Sequence, residues 1–260
     1  MKEIRLPKSE KKIKEIINAI DKNGFVSIDK AISPSLLDEL IDEIERISQE
    51  KKKYFSIIDL WSNKNSAFNQ FKTSTSLTFF IDKLASIYFS SFLTGQRLKE
   101  TLEDKNNANV LRVISGVNSS MRFHYDRTLI TILIPIIIPK KNIEDSGHLI
   151  TINNFRKVRK YSITSLLDKL LIQNRISQKM ISFLNFNESQ IKIMTPGNIY
   201  IFNGYRTIHG NYPVSDDALR ATFLIHIGDP HKNSKILKFF TEIVTSLGKI
   251  RGEKIFTKPN

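Results

Sequence analysis

The chain has no cysteine, which excludes disulfides, thiolate nucleophiles, cysteine zinc sites and iron-sulfur clusters together. Any metal must then be held by His, Asp or Glu. Histidine is itself scarce, with five in 260 residues, so each one can be weighed individually. Long hydrophobic runs are missing too. The longest, Leu129 to Pro139, is broken by Pro135 and bounded by Arg127 and Lys140, well short of the roughly 18 to 20 residues that span a bilayer. It reads as a buried strand. The first twenty residues spread Lys and Glu along a helical pattern instead of placing a charged stub before an apolar run. No secretory leader is expected, and the expected address is cytoplasmic.

What the chain does have is 40% hydrophobic residues, enough for a real core, and 40 Lys and Arg against 26 Asp and Glu, a net charge of +14. Its length predicts one large domain with additions. Clustered cations would point to nucleic acid. Here they are scattered over both termini and the middle, among abundant Ile and Asn, the texture of an AT-rich coding sequence. Nucleic-acid binding is therefore the minor expectation.

Along residues 1–105 the pattern is mostly a helical layer. Ser9 precedes an apolar stripe of Ile13, Ile16, Ile17 and Ile20 that Asn23-Gly24 ends, as a left-handed cap would. Phe25 to Ile28 reads as a strand, Ser33-Pro34 opens a second helix, and Thr75 to Leu93 a third. After Asn106 the texture becomes β-rich: Val110 to Ile114, Met121 to Tyr125, Thr128 to Ile138 and His148 to Ile152, with turns at 116–118 and 145–147. A second block holds Ile191 to Met194, Ile199 to Phe202 and Arg220 to Ile227, and between the blocks Ser162 to Asn185 is helical in character. Strand runs without a βαβ rhythm predict a mainly β fold with α, a sandwich or jelly roll. It would occupy 106–155 and 189–230, with a helical insertion over 156–188 and a closing helix over 233–252.

His124-Tyr125-Asp126 stands just before the apolar strand, His209 follows 83 residues after Asp126, and Arg220 comes eleven later. In a strand, positions i and i+2 share a face, so His124 and Asp126 project together while Tyr125 points away. Two imidazoles and a carboxylate can hold one face of a divalent metal and leave the other positions open. A nearby arginine can fork onto the far carboxylate of an organic acid bound there. Taken singly, His209 is more simply a turn histidine and Arg220 a surface cation. The ordered set is what points to a metal site.

The segments Arg122 to Leu133, Asp145 to Ile150, and Pro196 to Phe202 through His209-Gly210 to Arg220-Ala-Thr222 resemble the Fe(II)/2-oxoglutarate-dependent dioxygenases. Gly24 to Ile28 with the Ser33-Pro34 helix is similar to the phytanoyl-CoA-hydroxylase-like branch. The short link after Asp126 is more like the prolyl-hydroxylase type. The resemblance implies a double-stranded β-helix core, with His124, Asp126 and His209 as iron ligands and Arg220 on the 2-oxoglutarate C5 carboxylate. Asn211 matches an assisting position. Where relatives place a tyrosine on the strand before the motif, this chain has Arg112-Val113, so Thr131 or Arg112 becomes the second co-substrate contact. The implied cofactors are Fe(II), 2-oxoglutarate and O2, and the implied reaction is hydroxylation of an unactivated C–H bond with release of succinate and CO2. A halogenase would need a non-ligating residue at 126.

Arg122 and Arg127 flank the metal motif and are candidates for an anionic group of a small-molecule substrate. The basic insertion, with Arg156, Lys157, Arg159, Lys160 and Arg175, would form the lid or, through its leucine face, an oligomer contact. His148 reads as structural, His226 and His231 as non-ligands, Tyr125 as packing outside the barrel and Trp61 as ordinary core. Two other readings stand beside this one: a cupin-like metal-binding jelly roll without 2-oxoglutarate chemistry, and a basic nucleic-acid-binding or nucleic-acid-modifying protein.

Overall fold

Ile13, Ile16, Ile17 and Ile20 recur at helical spacing and are buried on one side of α1 (Glu10–Asn23). Ser9 Oγ accepts the Lys12 amide at 3.4 Å, and Gly24, in the left-handed region at φ 71°, ends the helix. The computed structural model describes residues 3–50, 55–59, 67–103, 108–115, 123–237 and 239. After α1 come β1 (Phe25–Ile28), α2 (Pro34–Glu50), β2 (Phe55–Asp59), α3 (Ala67–Lys72), α4 (Thr75–Ser90) and α5 (Gly95–Glu103). The β-rich part holds β3 (Ala108–Ser115), β4 (Ile130–Ile137) and β5 (Leu149–Ile152), and then the inserted helices α6 (Ser162–Gln173) and α7 (Arg175–Ser182). It ends with β6 (Ile191–Lys192), β7 (Ile199–Phe202), β8 (Ile208–Asn211) and β9 (Leu219–Ile227).

The strands form two antiparallel sheets, one in the order β1-β7-β4-β9-β3-β2 and one in the order β6-β5-β8. From β4 to β9 the chain changes sheet at every connection except β5 to β6, the wiring of a jelly roll. Parity then sorts the side chains. Ile130, Ile132, Ile134 and Ile136 of β4, Ile199 and Ile201 of β7, and Phe223 and Ile225 of β9 face outward and pack with α1, α2 and α4 in the main core. Leu133, Tyr200, Phe202 and Leu224 alternate with them and meet Leu149 and Met194 of the small-sheet side in a second core between the sheets. Strand β4 is thus covered on both faces, which is why it reads as one continuous apolar run. Pro135, lacking an amide hydrogen, marks a register shift against β9.

The expected strand Phe25 to Ile28 and the expected helices at Ser33-Pro34 and Thr75 appear as β1, α2 and α4. The insertion is two helices instead of one: Asn174 interrupts it, and its side chain caps α7 by accepting the Ser177 amide at 2.9 Å. Of the expected strand over 121–125, the described residues show a single bridge, His124 against His209. Helices α3 and α5 and strand β2 had no sequence-level expectation, and β8 was not among the expected strand segments. Trp61, the 116–118 turn and most of the closing helix over 233–252 lie outside the described residues.

Phe223 ties the helical layer to the large sheet. It is buried, with the Phe68 ring 5.3 Å away and the Phe71 ring edge-on at 6.0 Å, both from α3. Phe223→Ala is expected to cost about 3 to 5 kcal/mol, read as a lower urea midpoint with an unchanged m-value. A loss below about 1 kcal/mol would show that α3 does not hold this contact in solution.

Candidate metal centre

The centre begins with main chain. His124 and His209 exchange two backbone hydrogen bonds of 3.0 Å each, so His124 adds a one-residue strand to the edge of the small sheet at β8. Both imidazoles then face the space between the sheets, their centroids 4.3 Å apart. Two residues on, the Asp126 amide donates to the Gly204 carbonyl at 2.9 Å, and the carboxylate turns to the same side as His124. His124 Nε2 lies 3.5 Å from Asp126 Oδ1, and His209 Nε2 lies 3.5 Å from Asp126 Oδ2. One ligand atom from each residue fits within 4.8 Å of the others.

The donor set suits a divalent cation. His209 Nδ1 donates to the Thr207 carbonyl at 3.1 Å, which leaves the Nε2 lone pair facing inward, as a metal-binding histidine requires. The Thr131 hydroxyl donates a short hydrogen bond to Asp126 Oδ2 and lies 3.2 Å from His226 Nδ1. His226 Nδ1 is 3.6 Å from the same carboxylate oxygen. Burial alone would raise the Asp126 pKa, its side chain being 8% exposed. The charges of His209 and His226, with hydrogen bonding from His124 and His209, hold it well below the ordinary carboxylate value. The carboxylate is therefore ionised and ready to ligate. Gly204 is required alongside it, because a Cβ there would overlap both Asp126 Oδ2 and Thr131 Oγ1.

One cavity joins this triad to a second feature. Its walls include His124, Asp126 and His209 at one side and Arg112, Arg220 and His226 on the large sheet. Arg220 is 2% exposed; its Nε has no hydrogen-bond partner and its NH1 reaches only Thr222 Oγ1, at 3.4 Å. Burial, followed by the neighbouring charge of Arg112, lowers its pKa, but a guanidinium remains charged under physiological conditions. Burying a cation so poorly countered is costly, and an anion in the cavity would relieve the cost. Gly147, at φ 67°, allows the close approach, since a Cβ there would overlap the Arg220 side chain. A larger groove beside Arg5, Glu39 and Gln70 is open to solvent and gathers no comparable ligand set among the described residues.

The insertion grips the metal motif from outside. Phe123 and Tyr125, which alternate with the ligands, pack with Ile150 and Ile208 of the small sheet and Ile181 of α7. Gln178 of α7 acts as a strand partner in side-chain form: it accepts the Phe123 amide at 2.9 Å and donates to the Phe123 carbonyl at 2.7 Å. Arg156 lies between the Tyr125 ring, 3.9 Å away, and the Tyr205 ring, 4.2 Å away, and is paired with Asp168 of α6 at 3.0 Å. Lys169 of α6 reaches the rim of the site. Its ammonium is desolvated there, which lowers its pKa, while the Asp126 charge acts in the opposite direction.

The structure brings together His124, Asp126, His209, Arg220, Asn211, Thr131 and Arg112, all at or beside the cavity. Thr131, expected on a co-substrate, lies on the Asp126 carboxylate. Asn211 lines the wall and donates from Nδ2 to the Tyr212 carbonyl at 2.6 Å. Arg127 pairs with Asp229 at 2.5 Å, and Arg122 lies outside the described residues. His148 Nδ1 accepts the Met194 amide at 3.1 Å, and His231 meets the Tyr205 hydroxyl at 3.0 Å, away from the triad. His226 was set aside from sequence, yet it stands beside Asp126. Its parity with Arg220, Thr222 and Leu224 on β9 was the available signal, because all four positions share the inward face. Gln178 left no such signal.

No family model and no curated protein matches this sequence. Solved structures do. A prolyl hydroxylase from Trichoplax adhaerens, in complex with a peptide fragment of the hypoxia inducible factor oxygen degradation domain, superposes with a TM-score of 0.55 at 13% identity, over 85% of this chain and 90% of that one. HygX from Streptomyces hygroscopicus, with nickel and 2-oxoglutarate bound, gives 0.56 at 11% identity over 82% and 86%. SnoN, an alpha ketoglutarate dependent epimerase from nogalamycin biosynthesis, gives 0.51 at 10% identity over 84% and 82%. The chain shares the jelly-roll fold of these proteins. At these identities the likeness concerns the fold, and the His-Asp-His cluster on the inner faces is this chain's own geometry.

Thr131→Val removes the hydroxyl on Asp126 at nearly constant volume. Co(II) affinity, followed by visible absorption, is expected to fall about 10- to 100-fold, with the thermal midpoint little changed. Unaltered affinity would show that Asp126 does not depend on Thr131 for its orientation.

Proposed function

We propose that this chain is an Fe(II)- and 2-oxoglutarate-dependent oxygenase that hydroxylates a C–H bond of a small anionic molecule. The observation that carries the reading is Arg220, a buried and poorly countered guanidinium in the cavity that also holds the His124, Asp126 and His209 ligand atoms. A cavity with metal ligands at one side and a cation demanding a partner at the other fits a ligand with two acidic ends.

His124, Asp126 and His209 would hold the iron, two neutral donors and one anion on a single face. Arg220 would take the far carboxylate of 2-oxoglutarate, with Thr222 beside it and Arg112 and Asn211 on the same walls. Together the bound iron and 2-oxoglutarate supply the oxidising chemistry, consuming O2 and releasing succinate and CO2. The protein's own part is positional. Thr131 and His226 hold the Asp126 carboxylate, and Thr207 sets the His209 tautomer. Leu133, Leu149, Phe202 and Leu224 exclude water from the cavity. At the rim, Arg127 and Lys169 supply positive charge for an anionic group on the substrate.

Anaerobic addition of Fe(II) and then 2-oxoglutarate to the full chain is expected to give a weak visible charge-transfer band. Asp126→Ala should abolish it. Arg220→Ala should weaken 2-oxoglutarate binding by at least about tenfold, with Co(II) affinity within about threefold of the parent. Metal binding that ignores 2-oxoglutarate would establish the cupin-like alternative. Absence of metal binding in the parent chain would defeat the reading altogether.

A further inference from the structure

The inserted helices have two dissimilar faces. Ile172 and Ile181 are turned toward Phe123 and Tyr125, and Gln178 clamps the metal motif. The opposite sides carry large apolar residues in the open: Leu167, Leu170 and Leu171 on α6, and Ile176 and Met180 on α7 with Phe183 at its C-terminal cap. Ile176 and Phe183 are each 74% exposed. Within each helix these positions fall three or four residues apart, so each set forms a stripe along one side. Isolated exposed apolar residues need no explanation, but two stripes on consecutive helices mark an interaction surface.

The charges around the stripes select the partner. Residues 155–188 carry seven Lys or Arg against only Asp168 and Glu188. Asp168 is already engaged by Arg156 and Arg159, at 3.0 and 2.7 Å. Lys157, Lys160, Arg175 and Lys179 reach the surface. Two of them border the exposed apolar groups directly: Lys160 lies 5.5 Å from the Tyr161 ring and Lys179 lies 5.9 Å from the Phe183 ring. A second copy of the chain would bring this positive surface against itself. Nucleic acid would satisfy the cations and leave the Leu, Ile and Met side chains in water. An anionic bilayer satisfies both, because headgroups meet the cations while apolar side chains enter the acyl boundary.

We infer that the α6–α7 insertion docks the protein on an anionic lipid surface, with its apolar stripes in the interface and its lysines and arginines on the headgroups. The helices lie in the plane of the interface; among the described residues no helix is long and apolar enough to cross a membrane. Since the inward side of the same helices holds Phe123 and Tyr125, docking sets the rim of the cavity close to the lipid. The inference does not depend on the metal.

The test is cosedimentation of the full chain with vesicles of phosphatidylglycerol and phosphatidylcholine in equal parts, and with vesicles of phosphatidylcholine alone. The expected result is pelleting on the anionic vesicles, at least about tenfold weaker on the neutral ones, and reduced at about 0.5 M salt. The double variant Ile176→Glu, Phe183→Glu should lose about tenfold in vesicle affinity, while its thermal midpoint and Co(II) binding stay as in the parent. Arg175→Glu with Lys179→Glu should lose a similar factor at low salt. No pelleting, or equal pelleting on both vesicles, overturns the inference. So does an apolar-stripe variant that binds like the parent, which would assign the effect to the overall charge of +14. A concentration-dependent dimer abolished by the stripe variant, without vesicle binding, overturns it in favour of a second copy.

Discussion

Two backbone hydrogen bonds between His124 and His209 hold this molecule's chemistry together. They add His124 to the edge of the small sheet, while the segment just after it passes into β4 at the centre of the large sheet. The metal motif is therefore the crossing point between the sheets. From that crossing, strand parity does the rest. His124 and His209 present their rings inward because Phe123 and Ile208 are buried outward, and the large sheet answers with Arg112, Thr131, Arg220, Thr222 and His226 on its inner face.

Charge in the cavity is arranged by position along that inner face. Asp126, the only carboxylate lining it among the described residues, is surrounded by imidazoles and a hydroxyl that keep it ionised and oriented. Of the two guanidiniums, Arg112 feels the Asp126 charge, and Arg220 is the one left most in need of an anion. An arrangement that costs free energy in the ligand-free protein is economical when its ligand supplies the missing charge. Gly147 and Gly204 show how tightly the two ends are built, since each stands where a side chain would displace Arg220 or Asp126.

The insertion joins this interior to the outside. Its inner surface holds the alternating residues of the metal motif by packing, by the Gln178 clamp and by the Tyr125, Arg156 and Asp168 stack. Its outer surface is apolar and cationic. One pair of helices thus stiffens the site and presents it to a partner, while the helices described in the N-terminal part pack in the core against the large sheet.

Much of this was legible in the sequence where the cause is local. Helix caps at Ser9 and Gly24, the apolar period of α1, the double-sided burial of β4 and the shared parity of His124 and Asp126 follow from neighbours a few residues apart. Recurring residue types also placed Arg220 and His209 in one constellation. The place of His226 beside Asp126, the contact of Thr131 with that carboxylate and the silence about Gln178 share a physical reason. Each of these roles depends on contacts between residues 5 to 95 positions apart: Thr131 with Asp126, His226 with Thr131, Gln178 with Phe123. Sequence by itself determined which residue types could ligate a metal and which face of a strand they would share. Only the tertiary structure decided which of them meet, because the register between β4 and β9 and the docking of α7 are set by packing across the whole sheet, and no local pattern encodes that registration.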